Sequence, residues 1–196
     1  MNPEIIQFWQ NAQLVHINPG LSDELPEGWD IKNELAAIFQ NRTVSDIGCG
    51  YGRLCSAFDP ARYTGFDINP SAIAAAKHRN PGYRFTHMRT PSDYEVTDAA
   101  LLYTVLLHVH DDDIEPFIAQ LCLRSKRIVA AEIMLKAWRG DTLTRPPGAP
   151  PVFNRDAKVY IEMFEKNGFA VDDIIVGPYK RYPDTVLTLL VMDRIK

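Results

Sequence analysis

The residues best suited to chemistry lie in a glycine-rich segment between two apolar stretches. Residues 44–52 read Val-Ser-Asp-Ile-Gly-Cys-Gly-Tyr-Gly, which is typical of a strand, a tight turn and the start of a helix. Glycine permits positive φ and lets a ligand approach the backbone closely. The next apolar stretch ends at Asp67, and a carboxylate in that place can accept hydrogen bonds from both hydroxyls of a ribose. The combination predicts a site for a nucleoside-containing cofactor.

The position of the third glycine separates two classes of cofactor. In the dinucleotide fingerprint G-x-G-x-x-G the third glycine would fall at position 53, which is Arg53, whereas this chain has Gly52. The run Asp-Ile-Gly-Cys-Gly-Tyr-Gly-Arg at 46–53, followed by Phe-Asp-Ile-Asn at 66–69, resembles the class I S-adenosylmethionine-dependent methyltransferases. The resemblance extends over residues 40–135 and, by pattern alone, over two later strands. The alternative is a turn whose glycines only pack a strand against a helix.

The resemblance implies S-adenosylmethionine as the cofactor, S-adenosylhomocysteine as the product, and a set of cofactor contacts. Asp46 would lie near the amino-acid end of the cofactor, Asp67 would hold the ribose and Ile68 would line the adenine. The backbone would pass exposed beneath the cofactor at Gly48, Cys49 and Gly50, and the further expected contacts are Arg53, Met88, Arg89, Asp93 and Tyr103.

The adenine amine is the part of the cofactor whose partner the pattern leaves open. Members of the family often carry an acid just after the third strand, but this chain has Met88 and Arg89 there. Asp93, a little further on, or a backbone carbonyl are the two alternatives for that contact.

Candidate groups for methyl transfer follow the fourth predicted strand, residues 99–103. Ligands of open α/β sheets bind beyond the carboxyl ends of the strands, so Tyr103 and Thr104 are candidates to line the transfer site. His108 is the candidate general base, because an unperturbed imidazole has a pKa of ~6.5 and can take a proton from a hydroxyl at neutral pH. The alternative for His108 is a ring packed between helix and sheet with one backbone hydrogen bond.

The run His108-Val-His110-Asp-Asp112 also invites comparison with a metal site. It matches the first part of H-x-H-x-D-H, a pattern that resembles metallo-β-lactamase-type hydrolases, but position 113 is Asp113 and no histidine follows His110. A helix that begins at Asp111 explains the aspartates more simply, since carboxylates cap free N–H groups and oppose the positive helix end. We therefore predict no catalytic metal.

A basic, proline-rich region is the candidate substrate region. Residues 124–158 carry a net charge of +5, against −9 for the rest of the chain. We expect the loop at 139–153, which contains Arg139 and Arg145, to close over a substrate with an anionic group such as phosphate or carboxylate. An ordinary solvated loop is the alternative.

Two further side chains have two possible roles each. Glu132, at the end of the fifth predicted strand, would orient a substrate hydroxyl or pair with a neighbouring lysine. Trp9 would cap the cofactor, since aromatic rings attract a sulfonium cation, or would anchor an N-terminal helix on the core together with Phe8.

Strands and helices alternate from residue 43 onward, as in a parallel α/β sheet. The predicted strands are 43–47, 63–67, 83–87, 99–103, 127–133, 169–176 and 185–192. The predicted helices are 53–58, 72–77 with Asn69-Pro70-Ser71 at its start, one from 111, and 155–167 closed by Gly168. The resemblance implies a three-layer, doubly wound α/β fold with a mostly parallel seven-stranded sheet and an antiparallel C-terminal strand pair. One domain would span 1–196, with an N-terminal helical extension over 1–30.

The composition is that of an ordinary globular protein. Of 196 residues, 46% are hydrophobic and 23% charged, and the net charge of −4 argues against non-specific nucleic-acid binding. Cys49, Cys55 and Cys122 form no C-x-x-C pair, which favours free thiols in a reducing compartment. The first ten residues lack a basic cluster and no apolar run reaches the ~18 residues of a membrane helix, so we expect a cytoplasmic protein without membrane insertion.

These observations predict a methyltransferase that acts on a small molecule or a glycan end, most simply at oxygen. The alternative is a cofactor-binding or partner-binding domain that keeps the fold without catalysis. The fold supports many acceptors, so the sequence leaves the acceptor and the oligomeric state open.

Overall fold

The computed structural model describes residues 2–13, 30–90, 93–134, 150–178 and 186–195. Within these ranges the strands are β1 Val44–Ile47, β2 Tyr63–Asp67, β3 Arg84–His87, β4 Ala99–Tyr103, β5 Arg127–Met134, β6 Phe169–Pro178 and β7 Val186–Arg194. The helices are α1 Pro3–Asn11, α2 Ile31–Ile38, α3 Pro70–Arg79, α4 Asp111–Arg124 and α5 Ala157–Glu165, and 3₁₀ turns span Cys55–Ala57 and Leu106–His108. In these ranges, every helix is too short or too polar to reach across a bilayer.

The seven strands form one sheet in the order β3-β2-β1-β4-β5-β7-β6. The first five pair in parallel, and β7 runs antiparallel to both β5 and β6. This confirms the predicted mostly parallel sheet with an antiparallel C-terminal pair. Strands β2 and β3 lie on one side of β1, and strands β4, β5, β7 and β6 lie in that order on its other side. The crevice at the carboxyl ends of β1 and β4 is therefore the topological switch point, where ligands of open α/β sheets bind.

The centre of the sheet is covered on both faces. Every residue of β1, β2 and β4 is buried, as expected for parallel strands between two helical layers. One face packs around Leu35, Tyr63 and Leu101, and the other around Phe66 and Ile118. The predicted three-layer arrangement is confirmed.

Two helix ends follow the predicted signals. Helix α3 begins at Pro70 after Asn69, whose side chain accepts a hydrogen bond from the Ala72 N–H at 2.9 Å. Helix α5 is followed by Gly168 at φ +77, the left-handed conformation typical of a helix terminus. The strands also begin and end within about two residues of their predicted bounds.

The prediction of a helix over 53–58 was wrong. The segment contains a single 3₁₀ turn, Cys55–Ala57. Gly52 has φ +79, and the residue before Pro60 is disfavoured in the helical region, so few residues remain for a helix. The first turn of a helix fixes the backbone of several residues for a single hydrogen bond, and so short a segment forms too few further hydrogen bonds to offset that loss of entropy.

Helix α4 begins at Asp111 as predicted, but its capping residue differs from the prediction. His110 is the N-cap, and its ring Nδ1 accepts a hydrogen bond from the Asp112 N–H at 3.2 Å. Asp111, Asp112 and Asp113 occupy the first turn, where their charge opposes the positive helix end but none of them is the N-cap. The predicted N-terminal helix is present as α1, and residues 14–29 of the predicted extension lie outside the described residues.

Candidate functional site

The glycine turn between β1 and the 3₁₀ turn requires glycine at the crevice. Gly48, Gly50 and Gly52 have φ of +75, +56 and +79, a region that other residues rarely adopt. A Cβ on Gly48 would lie 2.6 Å from Cγ2 of Val105, on the segment that follows β4. The absence of a side chain at Gly48 therefore allows Val105, just after β4, to pack closely against the end of β1.

The backbone amides of this turn are engaged within the protein. The N–H groups of Gly48 and Cys49 donate to the Phe66 carbonyl at 2.7 and 3.0 Å. The Gly50 N–H donates to Oδ2 of Asp67 at 2.8 Å. Gly48 is exposed, whereas Cys49 and Gly50 are buried, so the expected exposure of the backbone holds only at Gly48.

Asp67 lies at the carboxyl end of β2 with capacity to bind. Its Oδ1 accepts from the Asn69 N–H and its Oδ2 from the Gly50 N–H, both at 2.8 Å. An ionised carboxylate has about four lone-pair sites, so the two oxygens can still accept from two hydroxyls. Burial raises the pKa of Asp67, and the backbone hydrogen bonds oppose that shift.

Asp46 lies in the interior, behind the glycine turn. It is 2% exposed, and its Oδ2 accepts a hydrogen bond from the Tyr63 hydroxyl at 2.6 Å. Burial raises the pKa of Asp46 to about 6, against the opposing effects of the Tyr63 hydrogen bond and the Arg53 charge. The structure therefore shows Asp46 bound to Tyr63 of the neighbouring strand β2; a contact with the amino-acid end of a cofactor stays a prediction.

Arg53 connects the glycine turn to the end of β4. Its guanidinium carbon lies 4.6 Å from the centroid of the Tyr103 ring, and its Nη2 donates to Oγ1 of Thr104 at 3.3 Å. Three of the predicted site residues therefore meet in one place. Thr104 has φ +58, which is a strained conformation for a β-branched residue, and its N–H donates to the Ala131 carbonyl at 2.8 Å.

His108 ends the 3₁₀ turn after β4, and one of its contacts determines its tautomer. Its Nδ1 lies 2.5 Å from the Pro151 carbonyl oxygen, which can only accept, so Nδ1 carries the proton. In the neutral ring the lone pair is then on Nε2, the form a general base needs. The half-buried ring also lies 4.5 Å from the Trp9 ring, centroid to centroid.

Asn69 is a site residue that the sequence reasoning missed. Besides capping α3, its Nδ2 donates to the carbonyls of Trp9 and Ala12, both at 2.9 Å. It thereby joins α1 to the residue pair that follows Asp67. Because the Trp9 ring reaches His108, α1 bridges the candidate ribose acid and the candidate base. The Asn-Pro pair indicated the cap, but no local signal indicated the second role.

Glu132 has a different role from both that were expected. It is completely buried, and its carboxylate accepts hydrogen bonds from the N–H groups of Val105, Leu106 and Leu107 at 3.0, 2.7 and 3.3 Å. It pairs with no lysine among the described residues, and it is not at the surface where a substrate hydroxyl would lie. Burial raises its pKa to about 7.

The predicted adenine end contains one buried residue and two exposed ones. Met88 is buried, and its N–H donates to the Asp67 carbonyl at 2.8 Å, which places it directly beside the second strand end. Arg89 and Asp93 are exposed. Oδ2 of Asp93 accepts from the Thr90 N–H at 3.0 Å, and hydrogen bonds from Thr90 lower its pKa. Ile68 is half-buried against the same cluster as Met88.

The basic region is largely neutralised where it is described. Arg127 lies 2.5 Å from Asp193, and Lys126 lies 3.2 Å from Asp98. Arg139 and Arg145 lie outside the described residues, as does most of the loop at 139–153. A lining for an anionic group therefore depends on those two arginines.

The two histidines of the possible metal motif face different partners. His108 Nδ1 is at the Pro151 carbonyl, whereas His110 Nδ1 accepts from the Asp112 N–H. Among the described residues, no three His, Cys, Asp or Glu side chains cluster as metal ligands would.

Comparison with known proteins agrees with this geometry. Residues 44–126 match a family model described as a methyltransferase domain. A magnesium protoporphyrin IX methyltransferase from Synechocystis PCC 6803, solved with S-adenosylhomocysteine, is 15% identical over 82% of this chain and 81% of its own, with a TM-score of 0.65. A 1,6-didemethyltoxoflavin-N1-methyltransferase from Burkholderia thailandensis is 17% identical over 84% and 78%, with a TM-score of 0.61.

The same fold also occurs with another activity. The 4+2 cyclase SpnF is 14% identical over 96% of this chain and 94% of its own, with a TM-score of 0.67. A search among curated proteins found no match by sequence. The family model supports the resemblance to methyltransferases over residues 44–126, and the solved structures confirm the fold that the resemblance implied.

Proposed function

We propose that this chain transfers the methyl group of S-adenosylmethionine to an oxygen atom of a small molecule, with His108 as general base. The observation that most supports this proposal is the bridge that α1 forms between Asn69 and His108. Asn69, next to the ribose acid Asp67, binds the Trp9 carbonyl at 2.9 Å, and the Trp9 ring packs on His108. One short helix thus spans the cofactor side and the acceptor side of the crevice.

The residues at the crevice fit the cofactor. Gly48 provides an exposed backbone position at the crevice, and Asp67 retains lone pairs for a ribose. Met88 and Ile68 provide an apolar surface beside Asp67 for a purine. When bound, S-adenosylmethionine supplies an activated methyl group on a cationic sulfur, so little covalent chemistry is left to the protein.

The protein must then align the acceptor and exclude water. Tyr103 and Thr104 line the end of β4, where Arg53 holds both in place. His108 would accept the hydroxyl proton on Nε2, because the Pro151 carbonyl retains the proton on Nδ1. Trp9 covers the His108 ring, which keeps water from that face of the ring.

The acceptor class is argued from the names of similar proteins. Two structural neighbours named as methyltransferases have small molecules in their names, magnesium protoporphyrin IX and 1,6-didemethyltoxoflavin. We extend this to a small-molecule acceptor here, and Arg139 and Arg145 remain the candidates for binding an anionic group on it. Proton removal by His108 favours oxygen, since an amine or thiolate acceptor can react without a base.

The experiment that tests the cofactor is calorimetric titration of the purified chain with S-adenosylmethionine, S-adenosylhomocysteine and NAD. We expect both sulfur compounds to bind and NAD not to bind. Asp67→Asn should weaken S-adenosylhomocysteine binding at least about tenfold, the size of one or two hydrogen bonds to a charged group. Asp98→Asn is the matched control, because Asp98 accepts from Thr43 at the opposite end of the sheet.

A non-catalytic or non-transferring role is the second candidate, because a cyclase shares the fold. Release of S-adenosylhomocysteine on incubation with S-adenosylmethionine and a panel of hydroxylated small molecules would decide between them. Tight binding without turnover for any acceptor would favour the second candidate. Binding of NAD alone would overturn the proposed function.

A further inference from the structure

The 3₁₀ turn Leu106–His108 is held from one side by a buried carboxylate. Glu132 receives three consecutive backbone N–H groups at the start of the turn, those of Val105, Leu106 and Leu107. These amides lack partners within so short a helical turn, and a buried carboxylate satisfies all three. The residue after Leu107 is His108, so the last of these bonds ends at the backbone next to the candidate base.

The same turn is held from the other side by a buried cation. Nη1 of Arg155 donates to the Leu106 carbonyl at 3.1 Å, and Nη2 donates to the Val109 carbonyl at 2.8 Å. The Arg155 side chain is 6% exposed, and its Nη2 also lies 2.5 Å from Oδ1 of Asp111. Negative charge at the amide end of the turn and positive charge at its carbonyl end are both favourable for a helical turn.

The segment before Arg155 completes the arrangement. The Phe153 N–H donates to the Leu107 carbonyl at 2.7 Å, and the Pro151 carbonyl receives the Nδ1 proton of His108. The His108 tautomer therefore depends on how the turn and this segment lie against each other. Glu132 and Arg155 are the charged side chains that hold the turn in that position.

We propose that Glu132 is a positioning residue for His108, whose carboxylate holds the turn so that the ring keeps its proton on Nδ1 and its lone pair on Nε2. The inference rests on the proposed role of His108 as base. It assigns a function to a carboxylate that never touches the reacting atoms.

Replacement by glutamine separates this role from simple packing. Glu132→Gln keeps the volume and one oxygen acceptor, but it places an amide N–H₂ where an oxygen now accepts from the backbone. A buried donor that faces another donor loses its hydrogen bond, which disfavours the present position of the turn. The turn should then shift away from β5, and the bond between His108 and Pro151 should weaken.

The experiment is ¹⁵N NMR of the full chain, in which the chemical shifts and long-range couplings of His108 report its tautomer. In the unsubstituted protein at pH 8 we expect the Nδ1-protonated form. In Glu132→Gln we expect the ratio of Nδ1-protonated to Nε2-protonated ring to fall about tenfold, the equivalent of one lost hydrogen bond. Asp98→Asn, which removes a carboxylate that also accepts three hydrogen bonds, should leave the ratio unchanged.

An unchanged tautomer in Glu132→Gln would overturn the proposal, and so would an equal change in Asp98→Asn, which would indicate general loosening. If Glu132→Gln does not fold, Glu132→Asp takes its place. It keeps the charge but is one methylene shorter and cannot reach all three N–H groups, so the same fall is expected. Titration of the unsubstituted protein with S-adenosylhomocysteine distinguishes the two proposals. If this protein does not bind S-adenosylhomocysteine, the proposed function is wrong, whereas the tautomer ratio tests the role of Glu132.

Discussion

Alanine substitutions at four glycines distinguish two reasons why position 52 of the glycine turn requires glycine, which are backbone strain and lack of space for a Cβ. Gly52 has φ +79, and a Cβ on it would lie 2.6 Å from Cζ of Phe85. Gly168 has φ +77, but a Cβ built on it would have no neighbour within 4 Å. Gly65 lies outside the left-handed region, but its Cβ would lie 2.7 Å from Cδ1 of Phe85; Gly82 has neither constraint. The four positions combine each state of one factor with each state of the other.

The expected losses of unfolding free energy follow from the two factors. A left-handed L-residue costs about 1–2 kcal/mol, which is the loss expected for Gly168→Ala. Overfilling a packed core costs about 1–3 kcal/mol, which applies to Gly65→Ala because Phe85 is 4% exposed and cannot move aside freely. Gly52→Ala should lose both, about 2–5 kcal/mol. Gly82→Ala should be neutral or up to about 1 kcal/mol stabilising.

Urea unfolding followed by circular dichroism would measure the four values on one scale. The reasoning is refuted if Gly168→Ala loses as much as Gly52→Ala, because space would then not matter. It also fails if Gly65→Ala is neutral. A second change tests the contact itself: Phe85→Leu should recover part of the loss in Gly52→Ala and none in Gly168→Ala. Binding of S-adenosylhomocysteine, measured on each variant that folds, should fall only for Gly52→Ala and Gly65→Ala.

Three further predictions concern charge, the α1 bridge and the base. Burial raises the pKa of Glu132 to about 7, so the folded state retains this proton at pH values where the unfolded chain has lost it. The free energy of unfolding should therefore fall by roughly 3 kcal/mol as the pH rises from about 4.5 to 7. The urea midpoints at pH 5 and pH 8 should differ less in Glu132→Gln than in the unsubstituted protein, and an equal difference would contradict the assignment of this pH dependence to Glu132. Asn69→Ser keeps an N-cap for α3 but removes the N–H groups that donate to the carbonyls of Trp9 and Ala12. Amide hydrogen exchange should therefore become faster in α1 and stay slow in α3, and an equal change in both helices would contradict the bridge between Asn69 and α1. His108→Gln should lower kcat for a hydroxylated acceptor by about 10²–10⁴ with S-adenosylhomocysteine affinity unchanged, and an unaltered kcat would exclude the base.

The positions of the strands and the glycine turn could be predicted because their signals are local, whereas the seven-stranded sheet was implied by the family resemblance. An apolar run such as Ala99–Tyr103 identifies a buried strand by itself, and Gly48 to Gly52 stand in a short segment whose spacing is informative. The helix expected at 53–58 failed for the opposite reason. Its apolar spacing was adequate, but positive φ at Gly52 and the restriction before Pro60 left too few residues.

The roles of Glu132 and Asn69 could not be predicted because they depend on tertiary distance. Glu132 contacts amides that lie 25 to 27 residues earlier in the chain, and Asn69 contacts carbonyls 57 and 60 residues earlier. A buried glutamate at the end of a strand has no sequence pattern that names its partners. Only the position of β5 beside β4 brings its carboxylate to the turn.

Two unfavourable features lie together at the end of β4, and their location supports the assignment of the site. Thr104 adopts φ +58, and Glu132 is a fully buried carboxylate next to it. Such strain costs about 1–3 kcal/mol for the backbone alone, a large share of the ~5–15 kcal/mol that stabilise a typical domain. A buried carboxylate bound to the backbone that follows its strand also ends β2, where Asp67 accepts from the Asn69 N–H, so such groups recur at the carboxyl edge of the sheet. Their concentration at the switch point, beside Arg53 and His108, is expected if that turn must present groups in one fixed geometry.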